Sequence, residues 1–217
     1  MKRVVRGFDV ALFDLDGTLS DSAPGIVASL EHAFVGLELP VPGNLLRSIG
    51  PPLPVMLEQL GVPVELHDSF IDAYRSRYAT VGLFENELYE GIADVVSALS
   101  ANGVALAVAT SKPEPYAVRI LEYFGLSRLF DVIAGATLDG TRGAKADVIA
   151  HCLAQRSPVA SDRIIMIGDR HHDIRGAAHH GIRAIGVTWG YGDQPELVAA
   201  GARWVVDRPD ELVDLIV

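Results

Sequence analysis

The sequence has 217 residues, of which 49% are hydrophobic and 21% charged, and its formal net charge is -10 at pH 7. This length fits one domain with or without a smaller addition, and the composition is that of an ordinary globular protein. Nucleic-acid backbones and anionic membranes need clustered lysine and arginine, so we expect neither as a partner. A phosphate ligand would need local attraction from a metal ion, a lysine or backbone amides.

Cysteine content and the lack of a targeting pattern favour a cytoplasmic protein. The single cysteine, Cys152, excludes an internal disulfide and a cysteine-rich zinc site, and it is predicted to pack as a core thiol. Asp9 and Asp14 bracket the first apolar run, which is too short for a signal peptide. No run approaches the roughly 20 apolar residues of a membrane-spanning helix. We therefore expect the protein to stay in the cytoplasm.

Short apolar runs alternate with helical patterns along most of the chain. Runs that are apolar throughout suit strands buried on both faces of a parallel sheet. The predicted strands are Val10–Phe13, Val104–Ala109, Val132–Ala134, Ile164–Ile167, Ala184–Val187 and Trp204–Val206. The alternation predicts an α/β fold with a doubly wound parallel sheet.

Helix boundaries are marked by turn and capping residues. Ile92–Ala101 is predicted as a helix that ends at Asn102 and Gly103 in the manner of a left-handed cap. Ser111 is expected to cap the next helix, with Pro113 in its first turn.

Residues 20–88 break the alternation, because no buried strand pattern occurs there. Ser22–Val35, Pro52–Leu60 and Glu65–Val81 instead have helical patterns, separated by turns rich in proline and glycine. We predict a small helical domain inserted after the first strand. The α/β core would then comprise residues 1–19 and 89–217.

Polar residues follow several of the predicted strands. In an open parallel sheet, ligands bind beyond the carboxyl ends of the strands, so these residues are candidates for one site. They are Asp14 and Asp16 after the first strand, Thr110 and Ser111 after the second, Lys145 in the helix after the third, and Asp169 and Asp173 after the fourth.

These residue types suit phosphoryl transfer. Asp14 can attack phosphorus directly, which divides hydrolysis into two easier steps. Asp16, two residues further on, can protonate the leaving alkoxide and then deprotonate water. A carboxylate repels a phosphate, so the reaction needs a hard cation such as Mg²⁺ between them. The candidate ligands are the carboxylates of Asp14 and Asp169 and the backbone carbonyl of Asp16, with Asp173 as a further ligand or a supporting residue.

Neutral donors and one lysine complete the candidate site. Thr110 and the amides near Ser111 lie at a predicted helix N-terminus, and Lys145 supplies positive charge. Arg47, in the helical insertion, could meet the leaving group or lie at the surface. The residues predicted to bind phosphate or substrate are Leu15, Asp16, Thr110, Ser111, Lys145 and Arg47.

The chain resembles the haloacid-dehalogenase-like superfamily of phosphatases and phosphotransferases at these residues. The specific motifs are Phe13-Asp14-Leu15-Asp16-Gly17-Thr18-Leu19 and Gly168-Asp169-Arg170, followed by Asp173-Ile174 and Gly176-Ala177. Thr110 and Lys145 match the two weaker motifs between them. The resemblance covers essentially the whole chain and implies a Rossmann-like core with a helical cap.

The resemblance implies a role for each matching residue. Asp14 would be the nucleophile and Asp16 the acid and base, with Thr110 and Lys145 binding phosphate. The metal Mg²⁺ would bind at Asp14, Asp16 and Asp169, with Asp173 nearby. The sequence departs from the family's common pattern in two places. Ser111 stands where many relatives have asparagine, and Ala146 where phosphoglycolate phosphatases often have proline.

The resemblance also favours a substrate class. Asp16 argues against dehalogenation, which needs no acid for the leaving group. The segment 82–91 and Ile49-Gly50-Pro51-Pro52-Leu53 resemble a branch related to phosphoglycolate phosphatase and described as 5′-nucleotidase-like. We therefore predict a phosphatase of small phosphorylated metabolites. The alternatives are a phosphotransferase such as a sugar-phosphate mutase, and a regulatory phosphate- or nucleotide-binding protein. A receiver domain would be shorter and would not need Asp16.

Overall fold

The computed structural model describes residues 7–217 and contains a six-stranded parallel sheet. Eight strands occur in chain order: β1 Val10–Phe13, β2 Ser20–Asp21, β3 Glu87–Leu88, β4 Ala105–Pro113, β5 Val132–Ala136, β6 Ile164–Gly168, β7 Arg183–Val187 and β8 Trp204–Val206. The large sheet has the strand order β5-β4-β1-β6-β7-β8, with every neighbouring pair parallel. The predicted doubly wound α/β fold is confirmed.

Nine α-helices and one π-helix occur in the described part of the chain. They are α1 Ala23–Gly36, α2 Leu53–Gln59, α3 His67–Arg77, the π-helix Tyr78–Gly82, α4 Ile92–Ala101, α5 Glu114–Tyr123, α6 Lys145–Ala154, α7 His171–His179, α8 Gln194–Ala200 and α9 Glu211–Ile216. Within residues 7–217, none of these helices combines the length and the apolar character needed to cross a bilayer.

The central strand β1 shows why its sequence is apolar throughout. Ala11 and Phe13 belong to one hydrophobic cluster, whereas Val10 and Leu12 belong to a second one. Since successive side chains of a strand point to opposite faces, the two clusters are the two sides of the sheet. All four residues are buried. Helices cover both faces, as a parallel sheet requires.

A helical unit, which we define as residues 23–82, contributes no strand to the large sheet. Its helices α1 and α3 pack together around Phe34 and Phe70, whose rings make an edge-to-face contact at 4.8 Å between centroids. The unit is joined to the sheet by an antiparallel ribbon of β2 and β3, in which Ser20 pairs with Leu88. The predicted ends of the insertion, 20 and 88, both fall in this ribbon.

The helix after β4 begins later than predicted. Ser111 does not cap a helix and Pro113 does not lie in a first turn, because β4 continues through Pro113 and α5 begins at Glu114. Proline disfavours helical backbone in the preceding residue, so Lys112 stays extended. Thr110, Ser111 and Lys112 therefore lie in the last part of β4, at the carboxyl end of the sheet, and not in a helix.

Candidate active site

The ends of the three central strands bring the predicted acids and hydroxyl together. Phe13 pairs with Val108 on one side and with Ile167 on the other, so Asp14 after β1, Thr110 in β4 and Asp169 after β6 all lie within two residues of these pairs. All three polar residues are buried, with exposures of 8%, 1% and 0%. The register of the parallel sheet therefore creates this cluster from distant parts of the sequence.

Lys145 lies at the first position of α6 and is buried among the acids. Its Nζ is 2.9 Å from Asp14 Oδ1 and 2.8 Å from Asp173 Oδ1, and it also donates to the Ala109 carbonyl at 3.1 Å. Burial alone would lower the pKa of Lys145, but the two ion pairs outweigh it and raise that pKa. The lysine is therefore a permanent cation in contact with Asp14.

Both acids that pair with this lysine belong to a cluster of three buried carboxylates. Ligand atoms of Asp14, Asp169 and Asp173 all lie within 4.8 Å of one another. Burial, together with the charges of Asp173 and Asp14, raises the pKa of Asp169 well above its usual range. Burial and Asp14 also raise the pKa of Asp173, to about 7, although Lys145 opposes this. Lys145 pairs with two of these three acids, and the shortage of positive charge in the cluster fits a divalent cation.

The donor set identifies the class of cation. Carboxylate oxygens are hard ligands of the kind that Mg²⁺ prefers. The Asp169 carboxylate accepts hydrogen bonds from Tyr191 N at 2.7 Å and from Thr18 Oγ1 at 3.2 Å. These bonds fix its direction before any ion binds, as the supporting groups of metal ligands commonly do.

Two glycines let the backbone close tightly around Asp169. A Cβ at Gly17 would lie 2.2 Å from Asp169 Oδ2, and a Cβ at Gly190 would lie 2.1 Å from the Gly17 carbonyl and 2.5 Å from Asp169 Cβ. Gly17 also has a φ of 81°, which glycine adopts without steric cost. The turn after β1 and the loop after β7 therefore both need glycine to surround the carboxylate.

Asp16 points away from the carboxylate cluster and towards a cavity. Its carboxylate accepts a hydrogen bond from Ser22 Oγ at 2.5 Å and forms an ion pair with Lys112 Nζ at 2.9 Å. Asp16 is outside the set of three acids that could hold one ion through their side chains. Its predicted contact with the metal was through the backbone carbonyl, and its side chain, paired with Ser22 and Lys112, lines the cavity.

The remaining predicted residues divide into two groups. Thr110 and Ser111 lie at the site, where the Thr110 hydroxyl accepts from Lys112 N at 3.2 Å and Ser111 lines the cavity. The Leu15 amide donates to Asp14 Oδ1 at 2.7 Å. Arg47, by contrast, is exposed and does not line the cavity. Ser48 beside it is buried instead, and its hydroxyl donates to the Leu45 carbonyl.

A cavity of about 650 Å³ separates the helical unit from the sheet edge. Its wall on the sheet side includes Asp16, Ser111, Lys112 and Tyr116. The wall on the side of the helical unit is mainly apolar and aromatic, and includes Ile49, Leu53, Met56, Ile71, Tyr74 and Tyr78. This volume is in the range of small-molecule sites.

Sequence reasoning missed three residues that shape this site. Lys112 is 7% exposed and pairs with Asp16, and Tyr78 reaches Lys112 from the helical unit. Tyr191 packs against the core cluster, and its amide donates to Asp169 while its hydroxyl donates to Asp21 at 3.1 Å. A lysine directly after Thr110 and Ser111 at a strand end was the available signal for Lys112. Nothing in the sequence pairs Tyr78 with it.

Buried acids and a lysine at the carboxyl edge of a parallel sheet define an enzyme site suited to phosphate esters. Residues 11–187 match the model of the haloacid dehalogenase-like hydrolase family. The chain belongs to that family. A predicted phosphatase from Clostridium acetobutylicum has a similar structure, with a TM-score of 0.90 and 40% identity over 95% of this chain and 97% of its own.

Three curated relatives of this chain have different names. Tyrosine-protein kinase PtkA from Mycobacterium tuberculosis is 49% identical over 84% of this chain, which spans 63% of that relative's length. A 5′-nucleotidase from Pseudomonas aeruginosa is 40% identical over 87% of this chain and 86% of its own. A phosphoglycolate phosphatase from Escherichia coli is 30% identical over 82% and 81%. The predicted family is confirmed.

Proposed function

We propose that the protein hydrolyses a small phosphomonoester in a magnesium-dependent reaction that passes through a phospho-aspartate at Asp14. The observation that carries this proposal is the buried contact of Asp14 with Lys145, at 2.9 Å, beside two further acids. A carboxylate held next to a permanent cation can receive a phosphate group that it would otherwise repel.

The proposed hydrolysis has two steps, and residues of this chain act in both. In the first, an Asp14 oxygen attacks phosphorus, the bond between phosphorus and the ester oxygen breaks, and Asp16 gives a proton to the leaving oxygen. In the second, water attacks phosphorus and Asp16 takes its proton, so that phosphate leaves and Asp14 is restored. Lys145 and Thr110 hold the phosphate oxygens in both steps.

Mg²⁺ held by Asp14, Asp169, Asp173 and the Asp16 carbonyl would neutralise phosphate charge at this site. Lys145 alone leaves the three acids with an excess of negative charge. Tyr191 and Thr18 already orient the Asp169 carboxylate through hydrogen bonds. These contacts support the magnesium part of the proposal.

Two substrate types are supported by relatives. The Pseudomonas aeruginosa relative is named a 5′-nucleotidase and the Escherichia coli relative a phosphoglycolate phosphatase. A nucleoside 5′-monophosphate and phosphoglycolate are therefore our two candidate substrates. Both are small phosphorylated metabolites, and a cytoplasmic location is part of the proposal. The buried thiol of Cys152 is compatible with that location.

The test is phosphate release from a panel of phosphomonoesters. Wild type, Asp14→Asn and the matched control Asp214→Asn would be assayed with magnesium and with EDTA. Asp214 is exposed on α9, so its variant should keep wild-type activity. We expect release only with magnesium and only in wild type and the control. Release by folded Asp14→Asn at the wild-type rate would overturn the covalent mechanism.

A phosphotransferase is the second candidate, and the 49% identity to proteins named tyrosine-protein kinase favours it. The same Asp14 would accept a phosphate group and pass it to another acceptor instead of water. Transfer would be measured by incubating the protein with radiolabelled adenosine triphosphate or a sugar phosphate and separating labelled products from free phosphate. Labelled ester or protein in excess of free phosphate would favour this candidate over the hydrolase.

A further inference from the structure

Two buried polar side chains meet beside Asp16 at the boundary between the helical unit and the sheet. Lys112, at the end of β4, donates a hydrogen bond to the Tyr78 hydroxyl from the helical unit, and both residues line the cavity. We infer that Lys112 and Tyr78 together bind an uncharged oxygen atom of the leaving group, close to the ester oxygen. This inference rests on the proposed phosphomonoester hydrolysis and names the class of ester.

The position of Tyr78 depends on an unusual piece of backbone. The helix α3 ends at Arg77, and residues Tyr78–Gly82 continue as a π-helix. Such wide turns are rare and frequently occur at functional sites. Gly82 permits close packing here, because a Cβ at that position would lie 2.7 Å from Ser29 Oγ and 2.8 Å from Tyr78 Cδ2. Tyr78 is only 1% exposed, so its ring is held firmly at the cavity.

The two side chains retain unused hydrogen-bonding capacity. A lysine ammonium has three donors, and Lys112 uses one towards Asp16 and one towards Tyr78. Among residues 7–217, no acceptor is paired with its third donor or with the Tyr78 hydroxyl proton. Buried donors without partners cost free energy. A ligand oxygen placed between them would accept from both.

The distance from Asp16 limits where that oxygen lies in the substrate. Lys112 Nζ is 2.9 Å from Asp16 Oδ2. An acid that protonates the ester oxygen must approach it to about 3 Å, so the ester oxygen would lie within about 6 Å of the ammonium. An oxygen separated from the ester oxygen by two carbon atoms spans that gap. Sugar phosphates and nucleoside 5′-monophosphates carry such an oxygen.

The charges around the cavity favour an uncharged leaving group. The lining of the cavity contains one lysine, Lys112, and one arginine, Arg75. The Arg75 guanidinium donates to the Leu138 carbonyl at 2.7 Å. Lys112 is already paired with Asp16. Acidic residues outnumber these cations, and they comprise Asp16, Asp68, Asp72 and Asp139. A leaving group with its own carboxylate would be repelled, which favours a hydroxyl or ether oxygen over glycolate.

The test compares two esters that differ in one atom. Adenosine 5′-monophosphate has a ring oxygen two carbon atoms from the ester oxygen, and its carbocyclic analogue has a methylene there. We expect wild type to prefer the ring-oxygen ester in kcat/KM by about tenfold, and Tyr78→Phe to reduce this preference to about twofold or less. The ratio within one variant is independent of the fraction of protein that is folded.

The matched control is Tyr123→Phe, which removes a hydroxyl from a tyrosine that is 58% exposed and does not line the cavity. This variant should keep the wild-type preference. Equal loss of kcat/KM for both esters in Tyr78→Phe would show that the hydroxyl supports the fold or closure only, and would overturn the inference. Faster hydrolysis of phosphoglycolate than of the nucleotide would also overturn it.

A binding measurement separates this inference from the proposed hydrolysis. Calorimetric titration of both esters into Asp14→Asn and into the double variant with Tyr78→Phe needs no turnover. Tighter binding of the ring-oxygen ester that is lost in the double variant would support the inference even if wild type hydrolysed neither ester. Hydrolysis of both esters without any difference in binding or rate would overturn the inference and leave the proposed function standing.

Discussion

The carboxyl edge of the sheet and the helical unit face the same cavity but are built by different means. At the sheet edge, the buried Lys145 contacts the buried carboxylates of Asp14 and Asp173 at 2.9 and 2.8 Å. The helical unit instead reaches the sheet side through Tyr78 and through bonds between arginines and backbone carbonyls. These bonds run from Arg75 to Leu138, from Arg119 to Ala79 and from Arg170 to Ile49.

This difference separates chemistry from recognition. The strand register holds the acids and Lys145 in place, so the sheet edge has little freedom to change its geometry. The helical unit shares a hydrophobic cluster with one face of the sheet, but its polar contacts to the sheet side are a few separate hydrogen bonds, several of them at partly exposed residues. Substitutions at the sheet edge should therefore alter the reaction and the stability strongly, whereas those in the helical unit should have small and selective effects.

Lys145→Met should have the largest effect. Removing one partner of a buried ion pair costs about 3–5 kcal/mol because the other charges remain without compensation. We expect the free energy of unfolding, measured with urea, to fall by about that amount and phosphate release to be lost. Asp173→Asn should cost less in the Lys145→Met background than in wild type. Equal costs in both backgrounds would show that the two residues are not coupled.

Gly190→Ala should act at the same edge with a smaller effect. The new Cβ would collide with the Gly17 carbonyl and Asp169, and such overpacking costs about 1–3 kcal/mol. We expect reduced stability together with weaker magnesium binding, measured by calorimetry. Gly36→Ala is the matched control, because a Cβ there meets nothing within 4 Å and alanine favours the helix. A Gly190→Ala protein that binds magnesium normally would contradict the described packing around Asp169.

Glu196→Gln tests the contact between the sheet side and the helical unit through its dependence on pH. Glu196 accepts a hydrogen bond from Arg170, which also donates to the Ile49 carbonyl of the helical unit. Burial would raise the pKa of Glu196, but hydrogen bonds from His171 and Arg170 outweigh it and lower that pKa to about 2, from an ordinary 4.5. The stability from this group is therefore present above pH 4.5 and is lost as the pH falls from there towards 2. Since the group is partly exposed, we expect about 1 kcal/mol.

The measurement is urea unfolding at several pH values between 2 and 6. Glu196→Gln should remove part of the decline seen in wild type over the acidic window. Glu122→Gln is the control, because that residue is exposed on α5. An identical decline in wild type and Glu196→Gln would show that the contacts of Glu196 do not contribute to acid sensitivity.

Glu85→Gln should have the smallest effect. Glu85 forms a two-bond ion pair with Arg77, at 2.7 and 2.8 Å, and the two side chains are 36% and 24% exposed. Pairs of this exposure contribute about 0.5 kcal/mol. We expect a shift of that size in the unfolding free energy and an unchanged kcat. A loss of magnesium binding comparable to that of Gly190→Ala would contradict the separation of the two regions.

The sheet edge was accessible to sequence analysis because apolar strands and the acids after them follow simple rules. Six strands and the convergence of Asp14, Lys145 and Asp169 could be predicted in this way. The extension of β4 was missed because the effect of Pro113 on Lys112 was not weighed against Ser111 as a cap. The π-helix at Tyr78 and the arginine bonds to carbonyls were not predictable, since a backbone carbonyl has no signature in the sequence.

The most direct test of the central claim is to trap the covalent intermediate. Wild type would be mixed with magnesium and an ester that it hydrolyses, and the reaction would be quenched in acid within one turnover. The protein would then be digested and its peptides analysed by mass spectrometry. The account predicts a phosphorylated peptide whose label maps to Asp14, is released by hydroxylamine and is absent in Asp14→Asn. Phosphate release within that turnover, with no phosphorylated peptide at any time point, would contradict it.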